Sequence, residues 1–265
     1  MRELFDEVYG QGGLEPEEAV RQSTRGPQRK RFYARADMVE TPDGFAITLD
    51  GKTVRTPSRK PLTAPERSIA EAIVAEWEAQ RDTINPTSMP LTRLANSVID
   101  AVGDSVEAVA DDIAKYFGTD LLFYRAGHPE ALVAREAQAW DPVLFWVAED
   151  FGAHFLLAEG IIHVQQPAAA IAAARATLPH DPWTIAALHL VTTITGSALL
   201  AVALLRGRLD ADQVWSAAHV DEDWNIEHWG IDGEVASRRA AKLVDFRAAA
   251  GVIKALAPRT GLTGS

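Results

Sequence analysis

The sequence predicts an α+β protein: a small N-terminal β-rich domain followed by a larger C-terminal helical, orthogonal bundle-like domain. Three observations point there. Apolar residues alternate with period two only between about residues 31 and 55. From about residue 63 onward they recur every three to four positions. The 265 residues, 47% of them apolar, are enough for real cores. The expected organisation is a polar arm over 1–30, a β-rich domain with one helix over 31–86, a helical domain over 87–256 and a tail over 257–265.

The arm carries glycines 10, 12 and 13 and a basic knot of Arg25, Arg29, Lys30 and Arg31. Without a glycine-rich phosphate loop, that knot reads as a solvated lead-in to the first strand. Phe32, Ala34 and Ala36 then alternate with Tyr33 and Arg35, and Phe45, Ile47 and Leu49 alternate with Ala46 and Thr48, as half-buried strands do. Thr41-Pro42-Asp43-Gly44 supplies one turn. Asp50-Gly51 supplies the next, because this pair favours the positive backbone angles of a tight hairpin, leading to Lys52, Val54 and Arg55.

Pro61 closes the sheet region. Thr63 and Glu66 are expected to form a capping box before a helix carrying Ile69, Ile73 and Trp77. Asn85-Pro86 and Pro90 separate it from a helix with Leu91, Leu94 and Val98, and Asp104 with Glu107 should cap the next, whose apolar positions are Val106, Val109, Ile113 and Phe117. Further helices are expected at about 129–152, 168–177, 183–205, 210–228 and 233–256. Gly160 and the β-branched Ile161-Ile162 make 159–163 a turn entering a short strand. Trp77, Trp140, Trp146 and Trp183 sit at helical spacing from apolar neighbours, as core residues do.

Composition excludes several function classes. There is no cysteine, so disulfides, thiolate metal sites and cysteine nucleophiles are out. The net charge of -11 argues against a nucleic-acid binder, which needs a basic surface. Acids from Glu3 to Glu18 and the lack of an apolar N-terminal stretch fit neither a secretory signal nor a transit peptide, so a cytoplasmic setting is expected. Residues 183–205 contain no Asp, Glu, Lys or Arg. They hold His189, four threonines and a central Gly196-Ser197, which suits a buried helix or helix pair better than a stable membrane span. Phosphate-loop, dinucleotide-binding and nucleophile-elbow motifs are all absent, as are Glu-x-x-His pairs, and nothing calls for a cofactor.

One constellation stands out, His219 to Gly230, written HVDEDWNIEHWG. On one continuous helix, His219, Asp223 and Glu227 fall at four-residue intervals, half of a metal site and the basis for an alternative reading as a metal-dependent hydrolase. The same wheel puts Trp215, Ala218, Ile226 and Trp229 on one side with Glu222 among them, and Trp224 opposite, among Asp223, Glu227 and His228. A carboxylate on an apolar stripe needs a donor, and an indole in a charged face leaves apolar area in water unless something covers it. An arginine of a neighbouring helix and the protein's own N-terminal part could satisfy both; so could a partner. Residues 209–237 hold eight acids and no Lys or Arg, an acidic solvated helix or a face that steers a basic partner.

Five motifs in order, Glu76-Trp77-x-x-Gln80-x-Asp82-x-Ile84, Leu91-x-x-Leu94-x-Asn96, Thr119-Asp120 with Tyr124-Arg125, Trp140-Asp141-Pro142, and Glu222-x-x-x-Ile226-x-x-Trp229-Gly230, span most of the chain between residues 32 and 249. In this combination the chain resembles the F-type ATP synthase assembly chaperones that attend the alpha subunit of the catalytic head. The resemblance implies a non-enzymatic chaperone that binds the free alpha subunit and shields its beta-contacting surface until the hexamer closes. It places the family's tryptophan on Trp77, supporting the domain junction, and its C-terminal functional glutamate on Glu222. With the wheel, this makes Glu222, Trp224, Asp223, Glu227 and Trp77 the expected partner-binding residues, with no cofactor and no metal. The family's eukaryotic members work in the mitochondrial matrix; this chain reads as a bacterial, cytoplasmic relative.

Overall fold

A computed structural model describes residues 29–257; the expected arm up to residue 28, with Arg25, and the expected tail from residue 258 on lie outside the described residues. The chain divides into two compact units, with the division between Asp104 and Ser105.

The first unit opens with a four-stranded antiparallel sheet. β1 (Ala36–Thr41) pairs along its length with β2 (Gly44–Leu49), whose other edge takes β3 (Lys52–Thr53) at one end and β4 (Thr63–Ala64) at the other. Both expected turns form. Thr41 faces Gly44 across Pro42-Asp43, and Leu49 faces Lys52 across Asp50-Gly51, where both turn residues have positive φ. The first strand begins later than alternation suggests, at Ala36, because the preceding segment does something else. The Arg31 guanidinium donates to the carbonyls of Glu78 (3.2 Å) and Gln80 (2.6 Å) and pairs with the Glu78 carboxylate at 3.0 Å. Arg31 is therefore no solvated lead-in; it satisfies carbonyls at the C-terminal end of α1 (Arg67–Glu78).

No capping box starts α1. Glu66 is its N-cap without a side-chain hydrogen bond, and Thr63 instead pairs with Ala46 in the sheet. The helix packs on β1 and β2 and on α2 (Pro90–Asp100). That second contact moves the division: α2, expected in the helical domain, belongs with the sheet. Asp104 likewise fails as a cap, since it closes a 3-10 turn and Ser105 takes the N-cap position of α3 (Val106–Tyr116) without a side-chain bond.

The second unit is helical around α6 (Pro182–Thr195), which follows α4 (Glu130–Phe151) and α5 (Ala168–Arg175). The expected pair in 183–205 is present, because Gly196, in the left-handed region, ends α6 and Ser197 caps α7 (Ala198–Leu205) through Leu200 N. Ten residues of α6 are buried, His189 among them, and it packs against α3, α7 and α10 (Gly233–Leu256). β5 (Tyr124–Arg125) and β6 (Ala158–Glu159) form a short parallel pair, so the strand precedes the Gly160 turn rather than following it. Among the described residues, no helix is long and apolar enough to cross a membrane.

The segment 210–228 is two helices. α8 (Ala211–Ala218) begins with a capping box between Asp210 and Gln213, and α9 (Val220–Trp229) follows a break at His219, whose backbone leaves the helical region at φ -120°, ψ 22°. A wheel drawn across that break misplaces Trp229 beyond it.

Candidate functional site

Most motifs that carry the resemblance turn out to be joints of the fold. Glu76, on α1, accepts hydrogen bonds from Leu91 N (2.6 Å), Thr92 N (2.8 Å) and Thr92 Oγ1 (2.7 Å), so it supplies the cap that α2 lacks in its own sequence. Burial raises its pKa while those three donors pull it back. Gln80 holds the connection, accepting from Asn85 N at 2.7 Å and donating to Glu76 O at 2.9 Å. Asp120 is fully buried and accepts from Leu122 N and from Leu199 N at the start of α7; burial pushes its pKa up to about 6 against those donors. Arg125 pairs with Asp141 at 2.7 Å and lies over the Trp140 ring, tying the Tyr124-Arg125 and Trp140-Asp141-Pro142 motifs together. Trp140, Trp146 and Trp183 are buried, as expected of core residues.

Trp77 is half-buried and meets Tyr33 edge-on at 5.6 Å in a cluster with Ala36, Leu49, Val54, Val74 and Ile84. Its Nε1 is buried without a hydrogen-bond partner.

The remaining predicted residues lie on α9, which packs against α4. Glu222 is half-exposed. Its Oε2 lies 3.5 Å from Arg239 Nη1 on α10 and 3.7 Å from His219 Nε2. Asp223 pairs with the other nitrogen of the same guanidinium. Glu227 takes Arg135 of α4 in a two-point pair, 2.7 and 2.8 Å, which lowers the carboxyl pKa and raises that of the guanidinium. The acidic run therefore has its basic counterweights on α4 and α10, outside the window in which none was found.

This arrangement dissolves the metal row. His219 stacks on Trp215 at 3.9 Å, its Nδ1–H donates to Trp215 O at 2.7 Å, and burial lowers its pKa. Asp223 and Glu227 are engaged by separate arginines. Among the described residues, no three His, Asp or Glu side chains are placed to hold a metal ion.

The two indoles exchange roles. Trp224 is half-buried and stacks on His228 at 4.2 Å. Trp229, expected on the inward side with Trp215, is 76% exposed, and Ile231 just beyond it is 42% exposed. An open cavity of about 580 Å³ adjoins this face, between Arg135 and Gln138 of α4, Gln213 and Ser216 of α8, and Asp223.

Two further features escaped sequence reading. Glu136 on α4 is buried, accepts from Ala126 N, and lies within hydrogen-bond range of Asp221; burial and that neighbour raise its pKa to about 7. Asp221 Oδ1 is itself buried without a hydrogen-bond partner among the described residues. Phe145, Leu156, Leu157, Ile161 and Ile162 are exposed large apolar residues, Ile161 at 96%. The turn expected at Gly160 and Ile161-Ile162 was the signal for the last two.

Residues 30–148 match the family described as ATP12 chaperone protein. Among solved structures, the chain is similar to the Atu1473 protein of Agrobacterium tumefaciens, at 45% identity and TM-score 0.82 over 97% of each chain. It is also similar to Atp12 from Paracoccus denitrificans, at 38% identity and TM-score 0.77 over 85% of this chain and 97% of that one. A variant of the Paracoccus protein with one aspartate changed to lysine gives the same values.

Proposed function

The chain belongs to the ATP12 chaperone family, and from that premise we propose that it serves assembly of the ATP synthase catalytic head by holding the free alpha subunit and shielding its beta-contacting surface until the hexamer forms. The similarity to Atp12 across nearly the whole of that protein is the observation that carries this reading. It needs no cofactor and no chemical step, and it places the protein where a bacterial alpha subunit is made, in the cytoplasm.

The α9 face is the proposed contact. Trp229 and Ile231 put two large apolar side chains into solvent at the end of the helix that carries Glu222, Asp223 and Glu227. An exposed aromatic on an element that also carries charged side chains suits an interface anchor: the indole supplies buried area once covered, and the charges set register and exclude wrong partners. Trp224 supports this face from within its stack on His228. Arg135 and Arg239 hold the acids in place before a partner arrives, which lowers the ordering cost on binding. Affinity has to stay modest, because the beta subunit must displace the chaperone.

Co-expression with the cognate alpha subunit alone tests the proposal. Alpha should become soluble and co-purify with this chain; alpha that aggregates equally with and without it would refute the reading.

A further inference from the structure

Between α4 and α5 the chain carries four large apolar side chains into solvent: Leu156 is 48% exposed, Leu157 50%, Ile161 96% and Ile162 75%. Phe145, 65% exposed, adds a fifth on the face of α4 that carries Asp141, one turn on. Single exposed apolar residues are ordinary on a soluble protein, but several on one loop mark a surface that something covers.

The loop is fastened, so these side chains are presented rather than merely slack. Gln166, itself buried, accepts from Leu156 N at 2.8 Å and donates to Leu156 O at 2.9 Å, as a neighbouring strand would. Phe155 stacks on Phe123 at 4.8 Å, β6 pairs with β5, and Gly160 N donates to Arg125 O at 2.8 Å. Beyond the tip, the His163 ring meets the Tyr124 hydroxyl at 3.3 Å. With the backbone held on both sides of Ile161 and Ile162, covering them costs little further ordering.

Charge selects among occupants. From residue 136 to residue 174 the sequence has no Lys or Arg, and Glu149 and Glu159 are exposed without an ion pair among the described residues. Arg125 stands opposite Glu159 in the β5–β6 register, yet its guanidinium is taken by Asp141 at 2.7 Å. Asp150 accepts from Trp146 Nε1 at 2.6 Å. A tip that enters an anionic membrane is normally flanked by Lys and Arg, and two copies docked tip to tip would set acid against acid. An apolar protein surface with basic flanks meets both features of the loop.

We propose that this loop tip, with Phe145, is a second contact surface for the client, taking an apolar strip of it that is flanked by Lys or Arg. The identity of the client rests on the chaperone reading; the chemistry of the strip rests on the loop alone. Both contacts lean on α4, where Arg135 holds Glu227 of α9 and, six residues on, Asp141 holds Arg125 of β5. That is about 9 Å along one helix axis, close enough for one client surface to reach both.

Co-expression of the full chain with the cognate alpha subunit, read as alpha recovered per chaperone, tests the surface. Ile161→Ser/Ile162→Ser should cut recovery about tenfold with the melting temperature unchanged, because both side chains already stand in water. Ile161→Ser alone should cut it about threefold, which keeps the test decisive if the double change disturbs the loop. The charge preference is measured by anisotropy with two synthetic fluorescent peptides, one apolar core flanked by lysines and the same core flanked by glutamates. Wild type should bind the lysine-flanked peptide about tenfold more tightly, the gap should narrow with added salt, and the double serine variant should lose that binding. Equal recovery of alpha by wild type and the double variant, or peptides bound regardless of their flanks, would overturn the proposal. So would binding to phosphatidylglycerol vesicles, or self-association, that the double variant abolishes, since either assigns the tip to another occupant. Failures of the two readings are separable. If both chains recover alpha equally, the loop proposal falls and the chaperone reading stands; if wild type recovers none, the chaperone reading falls and the peptide titration still decides the loop.

Discussion

Replacing Glu136 with glutamine should remove a pH dependence from the stability of the helical unit. The Glu136 carboxyl is raised from an ordinary 4.5 to about 7, chiefly by burial and next by Asp221, with the amide of Ala126 and the charge of Arg125 opposing. The folded state thus holds a proton that the unfolded chain releases near 4.5. The stabilisation this gives is complete below that value and is lost as pH rises through about 7. A shift of that size sets an upper bound of roughly 3 kcal/mol on the change. Glutamine keeps both contacts, its oxygen toward Ala126 N and its amide toward Asp221, without titrating. Urea unfolding of both proteins between pH 4.5 and 8 measures the difference. Tryptophan fluorescence reports mainly on this unit, because six of the seven tryptophans lie beyond Asp104. The variant should gain on the wild type steadily up to about pH 7 and then hold level. A constant difference across the range would refute the raised pKa of Glu136.

Other outcomes follow from the same geometry. Glu76→Ala should cost about 1–3 kcal/mol by orphaning two amides and a hydroxyl at the start of α2, and should speed hydrogen exchange at Leu91 and Thr92; unchanged protection there would sink the capping role. Trp229→Ala should leave melting almost unchanged, since the side chain is exposed, while capture of the alpha subunit in pull-downs falls several-fold; full capture would move the contact off α9. Glu222→Lys should weaken capture more than it lowers the melting temperature, and a collapse of the fold would mean that its place beside Arg239 is purely structural.

What the sequence made legible was local. Pro42-Asp43 and Asp50-Gly51 set the sheet's turns through backbone chemistry that needs no distant partner, and Gly196-Ser197 divides the apolar stretch for the same reason. What it hid depended on partners far along the chain. Thr63 is a good cap by composition, yet pairing with Ala46 claims it for the sheet. The break at His219 carries no glycine or proline; it comes with the ring stacking on Trp215, and a continuous helix through it would exchange the roles of Trp224 and Trp229. The acids of α9 looked unbalanced because Arg135 lies 92 residues from Glu227 and Arg239 lies 16 from Asp223.

The stitching at the end of α1 also fixes a length. Glu76 reaches forward to begin α2, Gln80 holds Asn85, and Arg31 clamps the carbonyls between them, so the connection from Ala79 to Met89 is tied at both ends and in its middle. One residue inserted there shifts the amides of Leu91 and Thr92 away from their acceptor, and no local adjustment restores it. In the exposed turn at Gly160 to Ile162, Gly160 N donates to Arg125 O at 2.8 Å while the side chains of Ile161 and Ile162 stand in solvent, so a label carried at either isoleucine leaves that bond in place.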